Sequence, residues 1–328
     1  MPRTNNTPPM NPIKPRRLAA GQTIGIAAPA SPPNDPESLR FAIETVASLG
    51  FRVKPAPHLF ERDGYLAGED AARAADLNEL FADDEVDAIF CARGGYGASR
   101  LLPLLDYDAI RAHPKVLMGY SDITALLLAI QQKTGLITFH GPIAGQAFTP
   151  YILAEFKKVL FAPEVPMTLG AAPVFERGEG LVEKANRVTT LVPGKAQGRL
   201  LGGNLSLVAH LTGTQYMPDL TGAILFLEDV SEAVYAIDRM LTQLWLAGSL
   251  QKVAGIAFGK FTEMRSSEYV QNRLLENVLA ERSRALGIPT VCGLMIGHTP
   301  DQTTLPMGCL VELDADLGSL RLLEEPVI

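Results

Sequence analysis

Ser121 stands at a corner between an apolar run, Val116-Leu117-Met118-Gly119, and a stretch of helical composition that begins at Asp122. A serine on a strand-to-helix turn is lifted out of its sheet. The helix N-terminus behind it offers free N–H groups and partial positive charge to a developing oxyanion. Gly119 fits the Gly-x-Ser half of a nucleophile elbow, whereas Ile123 stands where the second glycine of that pattern would be. The competing reading is a serine that only caps a helix. A serine nucleophile needs a base, and the base needs a group to orient it. Of the five histidines, His58 and His113 sit beside prolines in polar loops, and His210 lies on a short apolar helix face. His140, in His140-Gly141-Pro142, and His298, in Ile296-Gly297-His298-Thr299-Pro300, are both open candidates for the base.

The acid is easier to place. Ile224-Leu225-Phe226-Leu227 reads as a buried strand ending in Glu228-Asp229, which suits a rigid, partly desolvated carboxylate; the alternative is a strand-end charge in solvent. Arg93-Gly94-Gly95-Tyr96-Gly97 is a glycine loop after another strand, where glycine permits positive φ and close backbone approach. It lacks the third glycine of a dinucleotide fingerprint. It suits a second oxyanion N–H donor, with Arg93 either meeting a substrate carboxylate or making a structural ion pair.

These residues need a scaffold, and the first half alternates strands and helices. Strands are expected at Ile24–Ala28, Phe51–Lys54, Val86–Cys91, Lys115–Gly119 and Leu136–Phe139. Helices are expected after the Asp35-Pro36 start signal, over Glu69–Phe81 and over Asp122–Gln132. Such alternation implies an α/β fold with a parallel sheet covered on both faces. Prolines 163, 166, 173 and 193 break the pattern between residues 161 and 196, which reads as a linker with irregular or β structure. Beyond it, helices are expected at Asn204–Leu211, Glu232–Leu246 and Tyr269–Leu286, and strands at Ala223–Leu227, Val253–Phe258, Leu310–Leu313 and Leu320–Leu323. The organisation read from this is a flexible tail over 1–17, a nucleophile-bearing α/β domain over 18–160, the linker over 161–196, and a mixed C-terminal domain over 197–328.

Composition narrows the function. A chain of 328 residues with 47% hydrophobic and 20% charged residues supports packed domains rather than disorder. Its formal net charge of -7 argues against a nucleic-acid partner, and no apolar run is long enough to span a membrane. Cys91, Cys292 and Cys309 have no metal-like spacing and read as reduced core thiols of a cytoplasmic protein. Arg16-Arg17 before Leu18-Ala19-Ala20 imitates a secretory signal, but the polar and glycine residues that follow suit a first strand better.

Taken in order, these segments resemble the LD-carboxypeptidase family of serine peptidases. The matching segments are Ile24–Ala30, Arg93–Gly97, Gly119–Asp122, His140–Pro142, Gly202–Leu205, Leu227–Asp229, Gly255–Gly259 and Gly297-His298. The resemblance implies Ser121 as nucleophile, Glu228 as orienting acid and His298 as base. It further implies an oxyanion hole from the main-chain N–H groups of Gly95 and Asp122, with Arg93 and Asn204 as candidate substrate contacts. It implies a flavodoxin-like N-terminal half, a β-rich α+β C-terminal half of the swivelling type, and a homodimer. The implied reaction needs neither metal nor cofactor and releases terminal D-Ala from a murein tetrapeptide, a small peptide substrate, in peptidoglycan recycling. Two other readings stand beside it. One is a relative acting on an aminoacyl-nucleotide antibiotic as self-immunity, for which an aromatic stacking residue would be expected; the single Trp245 lies instead on an apolar helix. The other is a non-catalytic nucleotide-binding protein on the same sheet.

Overall fold

The computed structural model describes residues 12–33, 35–175, 179–265 and 273–328. In the first half, β1 (Thr23–Ala27), α1 (Pro36–Ser48), β2 (Arg52–Pro55), α2 (Asp70–Ala82), β3 (Ala88–Cys91), α3 (Tyr107–Ala112), β4 (Val116–Gly119), α4 (Thr124–Thr134), β5 (Thr138–His140) and α5 (Pro150–Leu160) follow in order. The start signal read at Asp35-Pro36 is real: the Asp35 carboxylate accepts the Ser38 N–H at 2.8 Å, with Pro36 opening α1. Five of these strands are parallel in the order β2-β1-β3-β4-β5, the flavodoxin-like arrangement that places functional loops at the carboxyl ends of the strands. β1, β3, β4 and β5 are buried along their whole length, as a parallel sheet covered on both faces requires. α5 escaped the sequence reading, although Thr149 caps it and Pro150 opens it.

The second half contributes β6 (Met167–Leu169), β7 (Thr189–Val192), β8 (Lys195–Asn204), α6 (Leu205–Leu211), β9 (Ile224–Val230), α7 (Val234–Leu246), β10 (Gly255–Thr262), α8 (Leu275–Leu286), β11 (Thr290–Cys292), β12 (Leu305–Met307), β13 (Leu310–Asp314) and β14 (Ser319–Leu322). Eight strands form a mixed sheet in the order β6-β14-β13-β8-β9-β10-β11-β7. Its centre, β8 to β11, is parallel, and its flanks are antiparallel. The 161–196 segment thus supplies two edge strands, β6 and β7. The helix expected from Tyr269 is α8, shorter at its start; residues 269–272 lie outside those described.

β12 sits in neither flank. It pairs antiparallel with β5, Leu305 opposite His140 and Met307 opposite Thr138, and becomes the sixth strand of the first sheet. The chain that carries His298 is therefore stitched into the sheet that carries Ser121. The first described residues are also anchored. Ile13 donates to Gly135 O at 2.8 Å and bridges Leu136, while Arg17 and Pro15 exchange backbone hydrogen bonds with Ile328. Residues 12–17, read with the flexible tail, lie against the fold for this reason. Among the described residues, no helix is long and apolar enough to cross a membrane.

Leu305 is fully buried in that sixth strand. Leu305→Ala is expected to destabilise the protein by about 2–5 kcal/mol, read as a lower denaturation midpoint in urea.

Candidate active site

Four peptide segments converge where the two sheets meet. β4 ends at Gly119, and a single 3₁₀ turn over Ser121–Ile123 precedes α4. The helix expected from Asp122 therefore begins at Thr124, because the corner takes up three residues. Ser121 has φ +64°, a left-handed conformation uncommon for any residue but glycine. Its hydroxyl caps neither the turn nor the helix, since Tyr120 and Ile123 hold the cap positions without side-chain bonds. Strained backbone with an uncommitted, half-buried hydroxyl is the geometry that a nucleophile elbow would have, and it does not fit a helix cap.

The glycine loop lies against this corner. A Cβ on Gly94 would stand 2.8 Å from Ser121 Cβ and 3.1 Å from its Oγ, so only glycine fits there. Gly95 follows with φ +109° and packs on Ser31, whose hydroxyl accepts the Tyr96 N–H at 3.0 Å. Asp122 ties turn and loop together. Its buried carboxylate accepts the Ala98 N–H at 2.7 Å. Burial pushes this carboxyl up to about 6, against the opposing pull of the Ala98 hydrogen bond and the Arg73 charge. Arg73 is itself buried and donates to the carbonyls of Pro29, Gly68 and Gly97, bracing the loop from behind.

From the second sheet comes Glu228. Residues two apart on a strand share a face, so Phe226 and Glu228 point together toward the first sheet, while Asp229 points away. Asp229 accepts from Asn204 Nδ2 at 2.9 Å and from Ser206 N and Oγ at 3.0 and 2.8 Å. Glu228 is fully buried, and its Oε2 meets His298 Nδ1 at 2.8 Å. Its Oε1 faces His140 Nε2 at 3.8 Å, beyond hydrogen-bond reach. Burial would push the Glu228 carboxyl up, but the two imidazoles outweigh it and hold the group down at about 2. Gly297 makes this contact possible: at φ +98° it runs so close that a Cβ would strike the Glu228 carboxylate.

Of the two histidines beside Glu228, His298 is the one open to solvent. Its side chain keeps 18% exposure, whereas that of His140 keeps none. The Tyr120 ring, adjacent to Ser121, packs on the His298 imidazole with centroids 4.8 Å apart. Thr262 Oγ1 donates to the His298 carbonyl at 2.9 Å and fixes the loop. No hydrogen bond joins Ser121 Oγ to His298 among the described residues. Such bonds are commonly long in substrate-free enzymes and tighten on binding.

The remaining candidates divide. Arg93 is half-buried and donates to Pro32 O at 2.8 Å, beside the glycine loop. Asn204 is buried, with its amide engaged inside the fold: Nδ2 on Asp229 and Oδ1 accepting the Leu207 N–H at 3.4 Å as the cap of α6. His210, read as lying on an apolar helix face, is exposed instead. Arg73 was not found from sequence because it sits in the Ala-rich segment Asp70-Ala71-Ala72-Arg73-Ala74-Ala75, where a lone arginine reads as a solvated face.

This fold and site belong to a known class. The LD-carboxypeptidase N-terminal domain matches residues 24–141 and the LD-carboxypeptidase C-terminal domain residues 197–313. The chain belongs to the LD-carboxypeptidase family. It is 41% identical over 300 residues to the "Probable murein peptide carboxypeptidase" of Bacillus subtilis (strain 168), covering 90% of this chain and 89% of that protein. The murein tetrapeptide carboxypeptidase of Pseudomonas aeruginosa is 32% identical over 279 residues, covering 79% of this chain and 82% of its own. The solved muramoyltetrapeptide carboxypeptidase from Oxalobacter formigenes superposes with a TM-score of 0.79 at 31% identity, covering 93% of this chain and all of that one. The microcin C7 self-immunity protein superposes with a TM-score of 0.87 at 29% identity, covering 97% of this chain and all of that one.

Gly297→Ala tests the close approach of loop and acid. Backbone strain alone costs about 1–3 kcal/mol, and the added methyl must move Glu228 or His298. The expected result is a fall in kcat well beyond the change in thermal stability, measured on the same preparation.

Proposed function

We propose that the protein is a serine LD-carboxypeptidase that removes terminal D-Ala from murein tetrapeptides, with Ser121, His298 and Glu228 as its triad. The observation that carries the reading is the buried Glu228 carboxylate bonded to Nδ1 of a reachable imidazole, beside a serine held at φ +64°. Hydrogen-bonding Nδ1 leaves Nε2 of His298 as the basic nitrogen, which is the tautomer a serine needs.

In this mechanism His298 takes the Ser121 proton as the hydroxyl attacks the amide carbonyl. Glu228 stabilises the resulting imidazolium without taking its proton, since its carboxyl is held at about 2. The Gly95 and Asp122 N–H groups bind the oxyanion, each worth roughly 3 kcal/mol. The placement of the glycine loop against Ser121 supports that assignment. His298 then protonates the leaving amine of D-Ala, and water, activated by the same imidazole, releases the shortened peptide from the acyl-enzyme. Arg93, beside the loop, is the candidate for the substrate carboxylate. The murein substrate is supported by the relatives named for it, at up to 41% identity. A self-immunity role finds less support: Trp245 is half-buried on α7 with the Arg282 guanidinium 5.8 Å over its ring, a packing role. The reading includes a cytoplasmic site of action, which suits three unpaired cysteines, and the homodimer that the family resemblance implies.

Purified protein incubated with a tetrapeptide ending in D-Ala is expected to yield the tripeptide by mass spectrometry, and an aminoacyl-nucleotide amide to be the poorer substrate. Ser121→Ala and His298→Ala should each cost about a millionfold in kcat, and Glu228→Gln about ten-thousandfold, with the folded far-ultraviolet signal kept. Full tetrapeptide cleavage by Ser121→Ala would sink the proposal.

The pH profile has one carboxyl to report. Glu228, held down at about 2, stays ionised across the neutral range. Asp122, pushed by burial up to about 6, takes up a proton below neutrality, and kcat/KM should fall with it as its hold on the Ala98 N–H weakens. Asp122→Asn cannot titrate and should remove that fall.

A further inference from the structure

His140 has no part in the chemistry above, yet it lies at the centre of the site. It is the last residue of β5, paired in parallel with Gly119 on the nucleophile strand and antiparallel with Leu305 on the strand that follows the His298 loop. Its side chain is fully buried. The Phe226 ring stands edge-on at 5.2 Å and the Tyr120 ring at 6.0 Å. Among the described residues, neither ring nitrogen has a hydrogen-bond partner. Glu228 Oε1 is likewise unpartnered, and it is the acceptor facing His140 Nε2 at 3.8 Å. Two buried polar groups of opposite need, each orphaned and pointed at the other, are costly apart and satisfied together. A small side-chain rotation closes the gap.

We propose that His140 is a positioning residue that donates Nε2–H to Glu228 Oε1, so that the carboxylate is gripped at both oxygens. This rests on the reading of Ser121, His298 and Glu228 as a triad. A carboxylate held only at Oε2 can swing about its terminal bond. Held at Oε1 as well, it keeps the plane that aligns it with His298 Nδ1–H. His140 itself meets no substrate: it lies behind Glu228, walled in by Phe226 and Tyr120. Neutral imidazole suits the role, because a cation there would compete with His298 for the same negative charge.

The test compares the full-length wild type with His140→Gln, which keeps an N–H donor near the Nε2 position, and His140→Phe, which keeps the bulk alone. His140→Leu replaces His140→Phe should the latter fail to fold. With a D-Ala-terminated tetrapeptide, the apolar variant is expected to lose about 10- to 100-fold in kcat, the scale on which supporting hydrogen bonds around a reactive group act, with KM unchanged. The glutamine variant should recover most of that loss. Proton NMR of histidine-labelled protein supplies a readout without substrate. The downfield Nδ1–H resonance of His298, assigned by its absence in His298→Gln, should shift or broaden in the apolar variant and persist in the glutamine variant. Equal kcat values for the glutamine and apolar variants, a loss confined to KM, or an unmoved resonance would each overturn the proposal. Failure of the triad reading shows separately, as retained turnover in Ser121→Ala.

Discussion

A carboxylate without solvent must find compensation for its charge inside the protein, and Glu228 sets that demand on everything around it. It is fully buried at the seam between the two sheets. Leaving such an ion unpaired would cost several kcal/mol even after relaxation, so the surrounding structure is organised to supply donors. Strand periodicity turns Glu228 toward the seam. Glycine at 297 lets the next loop come within contact of it, and His298 delivers a ring N–H at 2.8 Å. The interaction that stabilises the buried charge is also the one that orients the His298 ring. In the proposed mechanism, folding and catalysis therefore share one hydrogen bond.

That bond would be of little use if the two sheets drifted relative to one another, because Ser121 belongs to the first and Glu228 to the second. β12 removes much of that freedom. Within a few residues of His298 the chain enters the first sheet and pairs with β5, whose other neighbour is the nucleophile strand. The backbone path from His298 to Ser121 thus runs through two ladders of hydrogen bonds. At the other side of Ser121, Asp122 holds Ala98 and Arg73 holds Gly97, so the glycine loop is fixed to the same corner. The candidate site is thus supported by main-chain ladders on one side and by buried side chains bonded to the backbone on the other.

Much of this was legible in the sequence. The strands of the first sheet, the Asp35 cap and the corner at Ser121 follow from apolar runs, start signals and glycine placement. Glu228 could be found because an apolar strand ending in a carboxylate is unusual. What escaped was set by tertiary contact. β12 is three residues long with Pro306 at its centre, and a proline there is tolerated only because β12 is an edge strand. β6 and β7 are short pieces in a proline-broken stretch. His140 and His298 could not be told apart, because each follows an apolar segment and the difference is burial alone. Asn204 drew attention as a polar residue in a glycine motif, but its amide caps α6 and holds Asp229.

The adjacent carboxylates Glu228 and Asp229 show how the fold assigns charge. Both are buried, and as like charges each disfavours ionisation of the other. Alternation along β9 sends them to opposite faces with different partners. Among the described residues, Asp229 meets neutral donors alone: the Val230 N–H, the Ser206 hydroxyl and N–H, and the Asn204 amide. Burial prevails there, and its carboxyl is pushed above the ordinary range. Glu228 meets two imidazoles, and its carboxyl is driven the other way. Neighbouring acids whose environments drive them in opposite directions are a familiar mark of a reactive site. Here the effect is to place the settled negative charge beside His298, where the proposed mechanism forms an imidazolium.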